Sequence, residues 1–328
     1  MKLGKSDHEL IFKGFFLIDC VVRKSTSLYF LLQQNYDSET DTPPKATIRT
    51  RVASCFDRPD PDKVWGYASL GGMHYLRAGV SLKPKEQFVG VSMNDHVYVL
   101  GGGDDEFEDD LMARRNAAGH PVGSRGGITK SRTIDGWLWI TGSGRTVGRR
   151  VGKNQWEWHE NIPFKALKDD GGFNDIDGFN GTDIYAAGGH GDIWHYDGAT
   201  WTQCPFPSNM TLEAICCAGN GEVYIGAESG TVFKGRGNKW KMISRGSMAL
   251  PFKDMVWHNN QVWCTSDYGL WIIDKNDKVV EADVPSEVAA CSGHLSVGDG
   301  VMLLAGIGGA AMHDGKSWKM IVDYSHLD

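Results

Sequence analysis

What this 328-residue sequence lacks narrows it first. No run of 18 apolar residues occurs, so nothing reads as a transmembrane helix. The seven cysteines (20, 55, 204, 216, 217, 264 and 291) are an odd number with no C-x-x-C pair. Cys264 and Cys291 lie in apolar strand contexts, where a free thiol packs as a small hydrophobe. Adjacent Cys216 and Cys217 point to opposite faces of a strand and cannot readily bond each other. Such usage fits a reducing compartment, and cytoplasm is the expectation. Asp7 and Glu9 ahead of a short apolar stretch make a poor secretory leader, in line with it.

Catalytic signatures are missing as well. There is no H-E-x-x-H, no H-x-H and no G-x-S-x-G elbow, and GGGDDE at 101–106 lacks the Gly-Lys-Ser/Thr ending of a phosphate loop. No arginine follows Arg245, which starves part of the chain of candidates for an arginine cluster. His190 and His195 flank a turn, where a satisfied turn histidine outweighs a ligand. A site assembled from distant segments needs no local motif, but on these residues no catalytic residue, cofactor or metal is assigned.

What is present is glycine, at 42 residues, 12 tryptophans, and a repeat. The guide copy is Gly181 to Pro207, GTDIYAAGGHGDIWHYDGATWTQCPFP, which alternates with period two and turns about every eight residues, as consecutive antiparallel strands do. Related apolar strands centre on Tyr98, Trp139, Tyr185, Tyr224, Trp263 and Leu303, at successive intervals of 41, 46, 39, 39 and 40. A second marker falls at Trp156, Trp201, Trp240, Val280 and Trp318, at intervals of 45, 39, 40 and 38. Four short strands per unit of about 40 residues is the signature of a β-propeller blade.

The segment around Trp65 fits one more copy, which places blades near 47–85, 86–125, 126–163, 164–207, 208–245, 246–285 and 286–323. The expectation is all-β: a single propeller of seven four-stranded blades over 47–323, with eight blades the alternative. Residues 1–46 would be an N-terminal extension or closing strands, with 35–46 a polar linker, and 324–328 a tail. The aliphatic strand, Gly-x-Gly, Tyr-Asp-Gly and Trp pattern resembles bacterial propeller repeats with Asp-Gly-x-x-Trp turns, relatives in style of kelch and sialidase-type blades. Ser266 to Trp271 is similar to the Asp-box turn of the latter. That resemblance implies a fold and no activity.

Two acidic stretches invite a calcium reading. Asp104 to Asp110 holds six carboxylates in seven positions, yet lacks the ordered loop spacing and reads as a solvated loop. Asp175 to Asp183 coincides with the inner strand and first turn of a blade, and Asx turns explain it without a metal. Among the aromatics, Tyr185, Tyr224, Trp263, Trp201, Trp240 and Trp318 recur at one strand position and should be core. Trp137, Trp158, Trp194, Trp257 and Trp271 fall outside that pattern and are the better contact candidates.

A single propeller with no catalytic constellation looks like the immunity proteins that neutralise a bacterial toxin domain by capping it. The rival is a hydrolase or lyase acting on a carbohydrate at the channel mouth. Residues 246–328 carry 11 acidic residues against 5 lysines and no arginine, and 5 minus 11 is −6 of the chain's −7. Arginine gathers instead at 114, 115, 125, 132, 145, 149 and 150. An acidic sector disfavours nucleic acid and steers a basic protein such as a toxin domain. The partner-binding candidates are therefore Asp274, Asp277, Glu281, Asp283, Trp271 and Trp257, with neither membrane nor nucleic acid as partner.

Overall fold

The computed structural model describes residues 1–36, 48–73, 75–111, 114–115, 121–166 and 171–326. From residue 37 on, the linker expected at 35–46 lies outside them. Seven sheets of four antiparallel strands, each paired in sequence order, form a seven-bladed propeller. The first blade is β1 (Phe15–Lys24), β2 (Ser27–Gln34), β3 (Arg49–Phe56) and β4 (Trp65–Gly71), and the second β5 (Leu76–Ser81), β6 (Gln87–Ser92), β7 (Val97–Gly101) and β8 (Asp104–Glu108). A short hairpin, β9 (Arg114–Arg115) with β10 (Pro121–Val122), interrupts the way to the third: β11 (Ile128–Ile134), β12 (Trp137–Gly142), β13 (Thr146–Gly152) and β14 (Gln155–Trp158). The fourth is β15 (Asp175–Asn180), β16 (Asp183–Gly188), β17 (Asp192–Tyr196) and β18 (Trp201–Cys204). The fifth is β19 (Leu212–Cys217), β20 (Val223–Ala227), β21 (Val232–Arg236) and β22 (Lys239–Ser244). The sixth is β23 (Asp254–His258), β24 (Gln261–Ser266), β25 (Gly269–Ile273) and β26 (Val279–Glu281), and the seventh β27 (His294–Gly298), β28 (Val301–Gly306), β29 (Gly309–His313) and β30 (Trp318–Asp323).

The second strand of each blade is buried on both faces, because successive side chains point to opposite neighbours. In β2, Leu28, Phe30 and Leu32 pack with blade seven while Tyr29 and Leu31 pack with blade two. In β28, Val301, Leu303 and Ala305 pack with blade one while Met302 and Leu304 pack with blade six. The core is therefore a set of apolar layers between blades. Outer strands bury little: β22 and β26 are half-buried or exposed throughout.

Two expectations shift in register. Residues 15–34 are the inner half of blade one, and the strand at Trp65, expected as the second strand of a blade, is the outermost. Tyr98 lies on the third strand of its blade, where Trp139, Tyr185, Tyr224, Trp263 and Leu303 lie on the second. The 40-residue period fails there because long connections, 35–48 within blade one and 109–127 before blade three, alter the spacing.

The acidic run is strand over Asp104–Glu108, not a loop, and only Asp109 and Asp110 follow it exposed. In β8, Asp104 meets Lys85 and Gln87, Glu106 meets Lys153 at 2.6 Å, and Glu108 is buried against Arg150. Asp105, on the other face, accepts the Tyr98 hydroxyl at 2.6 Å. Each of the four carboxylates of β8 has a donor, so the strand tolerates its charge.

The channel, its mouth and the candidate partner surface

Within each blade the first strand leaves one edge unpaired towards the axis, so its N–H and C=O groups need partners from outside the sheet. Side chains of the neighbouring blades supply them. Asp19 accepts the Ala78 N–H at 2.9 Å, Asp175 the Ile215 N–H at 3.0 Å, and Asp177 the Cys217 N–H at 2.8 Å. Thr133 donates to the Val80 carbonyl at 2.6 Å, and Ser296 accepts the Val22 N–H at 3.0 Å. Asp175 and Asp177 thus tie one blade to the next, while Asn180 closes the following turn by accepting the Thr182 N–H at 2.8 Å.

Cations from blade three complete the belt. The Arg132 guanidinium grips Asp175 through both carboxylate oxygens, at 2.9 and 3.0 Å. Lys130 reaches across the channel to Asp254 of blade six, which also meets His294 at 3.2 Å. Burial alone would raise the Asp254 carboxyl, but Lys130, His294 and Arg132 outweigh it and hold the group well below the carboxylate range. Asp177 moves the other way, since burial exceeds the pull of Arg132.

Above this belt lies a cavity of about 480 Å³, walled by the C-terminal ends of the inner strands. Arg23, Phe179, Trp257 and Asp299 stand around it. Trp257 is half-buried at the mouth, and Gly219 makes room for it: a Cβ there would come within 2.4 Å of the indole. Chemically the cavity is a mixed polar funnel whose acids and bases already bond to each other or to backbone.

The structure divides the six sequence candidates. Asp274 and Asp277 share the β25–β26 turn. Asp274 accepts the Asn276 and Lys278 N–H groups at 2.8 and 2.9 Å, and Asp277 pairs with Lys234 at 2.8 Å and Lys241 at 3.1 Å. Glu281 and Asp283 lie further along and exposed, towards the opposite face. Trp271 is half-buried against Phe252, ring centroids 5.4 Å apart. Trp194 leaves the contact set: it is buried beside Arg145 and donates to Asp192 at 3.0 Å. Tyr185, Tyr224, Trp263 and Trp201 are core as expected, while Trp240 and Trp318 are only half-buried.

Blade three's arginines are internal fasteners. Arg145 pairs with Asp192, Arg150 with Glu108, Arg149 with Glu157, and Arg125 donates to the Ile162 carbonyl at 2.7 Å. Periodicity could not show this, because Asp192 and Glu108 belong to the blades on either side and Glu157 and Ile162 are met only once blade three has folded. The one available signal was the polar residue recurring near the start of the inner strands, at Asp19, Lys130, Asp175, Asp254 and His294.

Fold and channel together define a β-propeller whose inner strands are stitched blade to blade by side chains. Among solved structures it is similar to the WD40 β-propeller domain of Doa1 (TM-score 0.59, 10% identity, 89% of this chain and 90% of that one). It is also similar to YCF48 bound to D1 peptide (TM-score 0.57, 11% identity, 91% and 93%). Both likenesses show the fold alone. No family model matches the chain. By sequence it is 30% identical over 248 residues to the immune protein Tsi7 of Pseudomonas aeruginosa, covering 75% of this chain and 79% of that protein. The chain belongs to the family of the immune protein Tsi7.

Proposed function

We propose that this protein is a cytoplasmic immunity protein that neutralises a bacterial toxin by binding it directly, without chemistry of its own. Kinship with an immune protein over three quarters of the chain carries the reading. A rigid ring with broad turn faces suits the capping of a folded domain. All seven cysteines are free and six are buried, which accords with a reducing compartment. The acidic C-terminal blades favour a basic toxin domain, with Glu281 and Asp283 among their exposed acids, Trp271 paired across from Glu281, and Trp257 at the cavity mouth of the same blade.

The test uses the gene next to this one, since an immunity gene follows its toxin gene. The neighbouring product is expressed in a bacterial host with and without this chain, and the two purified proteins are mixed. Expected are protection of growth and a stoichiometric complex with a Kd on the order of nanomolar. A toxic neighbour that kills regardless, with no complex at roughly micromolar concentrations, would sink the proposal.

A further inference from the structure

Antiparallel strands put the turns of a blade alternately on the two faces of the ring. Turns from first to second strand and from third to fourth lie on the face where the cavity opens. Turns from second to third strand, and the connections between blades, lie on the other. The cavity face is built of polar turns such as Asp135-Gly136, Asp197 to Thr200, Asn259-Asn260, Asp299-Gly300 and Asp314 to Ser317. Among the described residues, the exposed large apolar side chains at the rim of the cavity are Leu82 and Val297.

The opposite face is different. Tyr268 (83% exposed) and Ile307 (72%) are the two most exposed large apolar side chains among the described residues. They occupy the β24–β25 and β28–β29 turns of neighbouring blades. Leu250, also exposed, sits in the connection leading into blade six. Two-residue turns select glycine, asparagine and aspartate; the equivalent turns of blades three and four are three residues long, Ser143 to Arg145 and Gly189 to Gly191, and that of blade two, Met93 to His96, exposes a smaller share of its one apolar side chain. Neither the fold nor any packing calls for a tyrosine and a β-branched isoleucine at these points.

Charge surrounds them. Glu228, Asp267, Asp283 and Glu287 are exposed in the turns and connections of blades five to seven, against Arg245 and Lys253. Four acids less two bases leave two negative charges around the apolar centre. The short helix Ser286–Ala289, which bears Glu287, leads into Ala290, whose carbonyl a Cβ on Gly308 would strike. That places an acid directly beside the Ile307 turn. Exposed aromatic and aliphatic anchors rimmed by charge mark protein-binding surfaces.

We infer that the face opposite the cavity, over blades five to seven, is the docking surface: Tyr268, Ile307 and Leu250 anchor a folded basic protein domain, and Glu228, Asp283 and Glu287 guide it. This rests on the immunity reading and adds to it the face that does the work. The probe is the purified neighbouring toxin. Against it are set the unsubstituted chain, the double variant Tyr268→Asp/Ile307→Asp, and a cavity-face control, Leu82→Asp.

The double variant is expected to weaken binding by roughly tenfold or more, mainly through faster dissociation, with Tm nearly unchanged because both side chains are solvated. The control should bind as the unsubstituted chain does. The reverse pattern, loss in the control and none in the double variant, overturns the docking face while leaving the immunity reading intact. If the unsubstituted chain binds nothing, both readings fail together. If the chain self-associates and the double variant abolishes that while toxin binding persists, the surface joins two copies and the inference is overturned.

Discussion

At the scale of single residues, the instructive group is His159. Its ring is stacked on Trp139 (5.1 Å) and meets Tyr196 (5.0 Å) and Trp201 (5.8 Å) edge-on. Burial lowers its pKa from 6.5 to about 4, against a small opposing pull from Glu157. The folded protein holds the imidazole neutral, whereas the unfolded chain takes up a proton below pH 6.5. Stability is therefore fully present above pH 6.5 and falls between pH 6.5 and about 4, by up to about 3 kcal/mol from this residue. His258 and His313, 2.9 Å apart, are lowered by burial too and add to the same trend. Urea unfolding across that range should show a shallower pH slope for His159→Phe than for the unsubstituted protein. Parallel slopes would mean that His159 is solvated in the folded state.

At the scale of elements, β1 and β2 decide whether the ring exists. They supply the apolar layers of blade one on both sides, and without them β27 loses its neighbour and β3 becomes an open edge. A chain starting at residue 47 is expected to aggregate, read by size-exclusion chromatography; a monomeric product with full near-ultraviolet circular dichroism would contradict this. Blades three to seven were legible in the sequence because the second and fourth strands recur at similar intervals through them, so Trp139 to Leu303 and Trp156 to Trp318 stay roughly in step. Blades one and two were not, because period-two alternation looks alike in an outer strand such as β4 and a second strand such as β6. The surface candidates fared unevenly for a related reason. Asp274 and Asp277 resemble solvated acids in sequence, but one caps its own turn and the other is gripped by lysines of blade five.

For the whole molecule, the charge asymmetry is real in sequence but partly spent in structure. Asp254, Asp267, Asp277 and Asp323 of the acidic C-terminal region have ion-pair partners. The long-range field on a basic partner then falls to exposed acids such as Glu281 and Asp283. Reversing these two to lysine should slow association with the toxin at low salt and flatten its salt dependence, since at about 0.15 M the Debye length is already about 8 Å. Tm should move little, as neither carboxylate holds backbone in place. Stopped-flow mixing at two salt concentrations reads this, and an unchanged on-rate would move the steering field elsewhere. The ring itself closes without exchanging a strand: blade one is built from the first strands and blade seven from the last. The seam is fastened by Lys2 to Asp323 (3.3 Å), the Leu3 N–H to the Ile321 carbonyl (2.9 Å) and Ser25 to Asp299 (2.9 Å). With residues 2 and 323 in contact, a short peptide would splice them, and the same annulus would then accept a nick at any of its six other junctions. Where the polypeptide starts is a property of the reading frame, to which the assembled circle is indifferent.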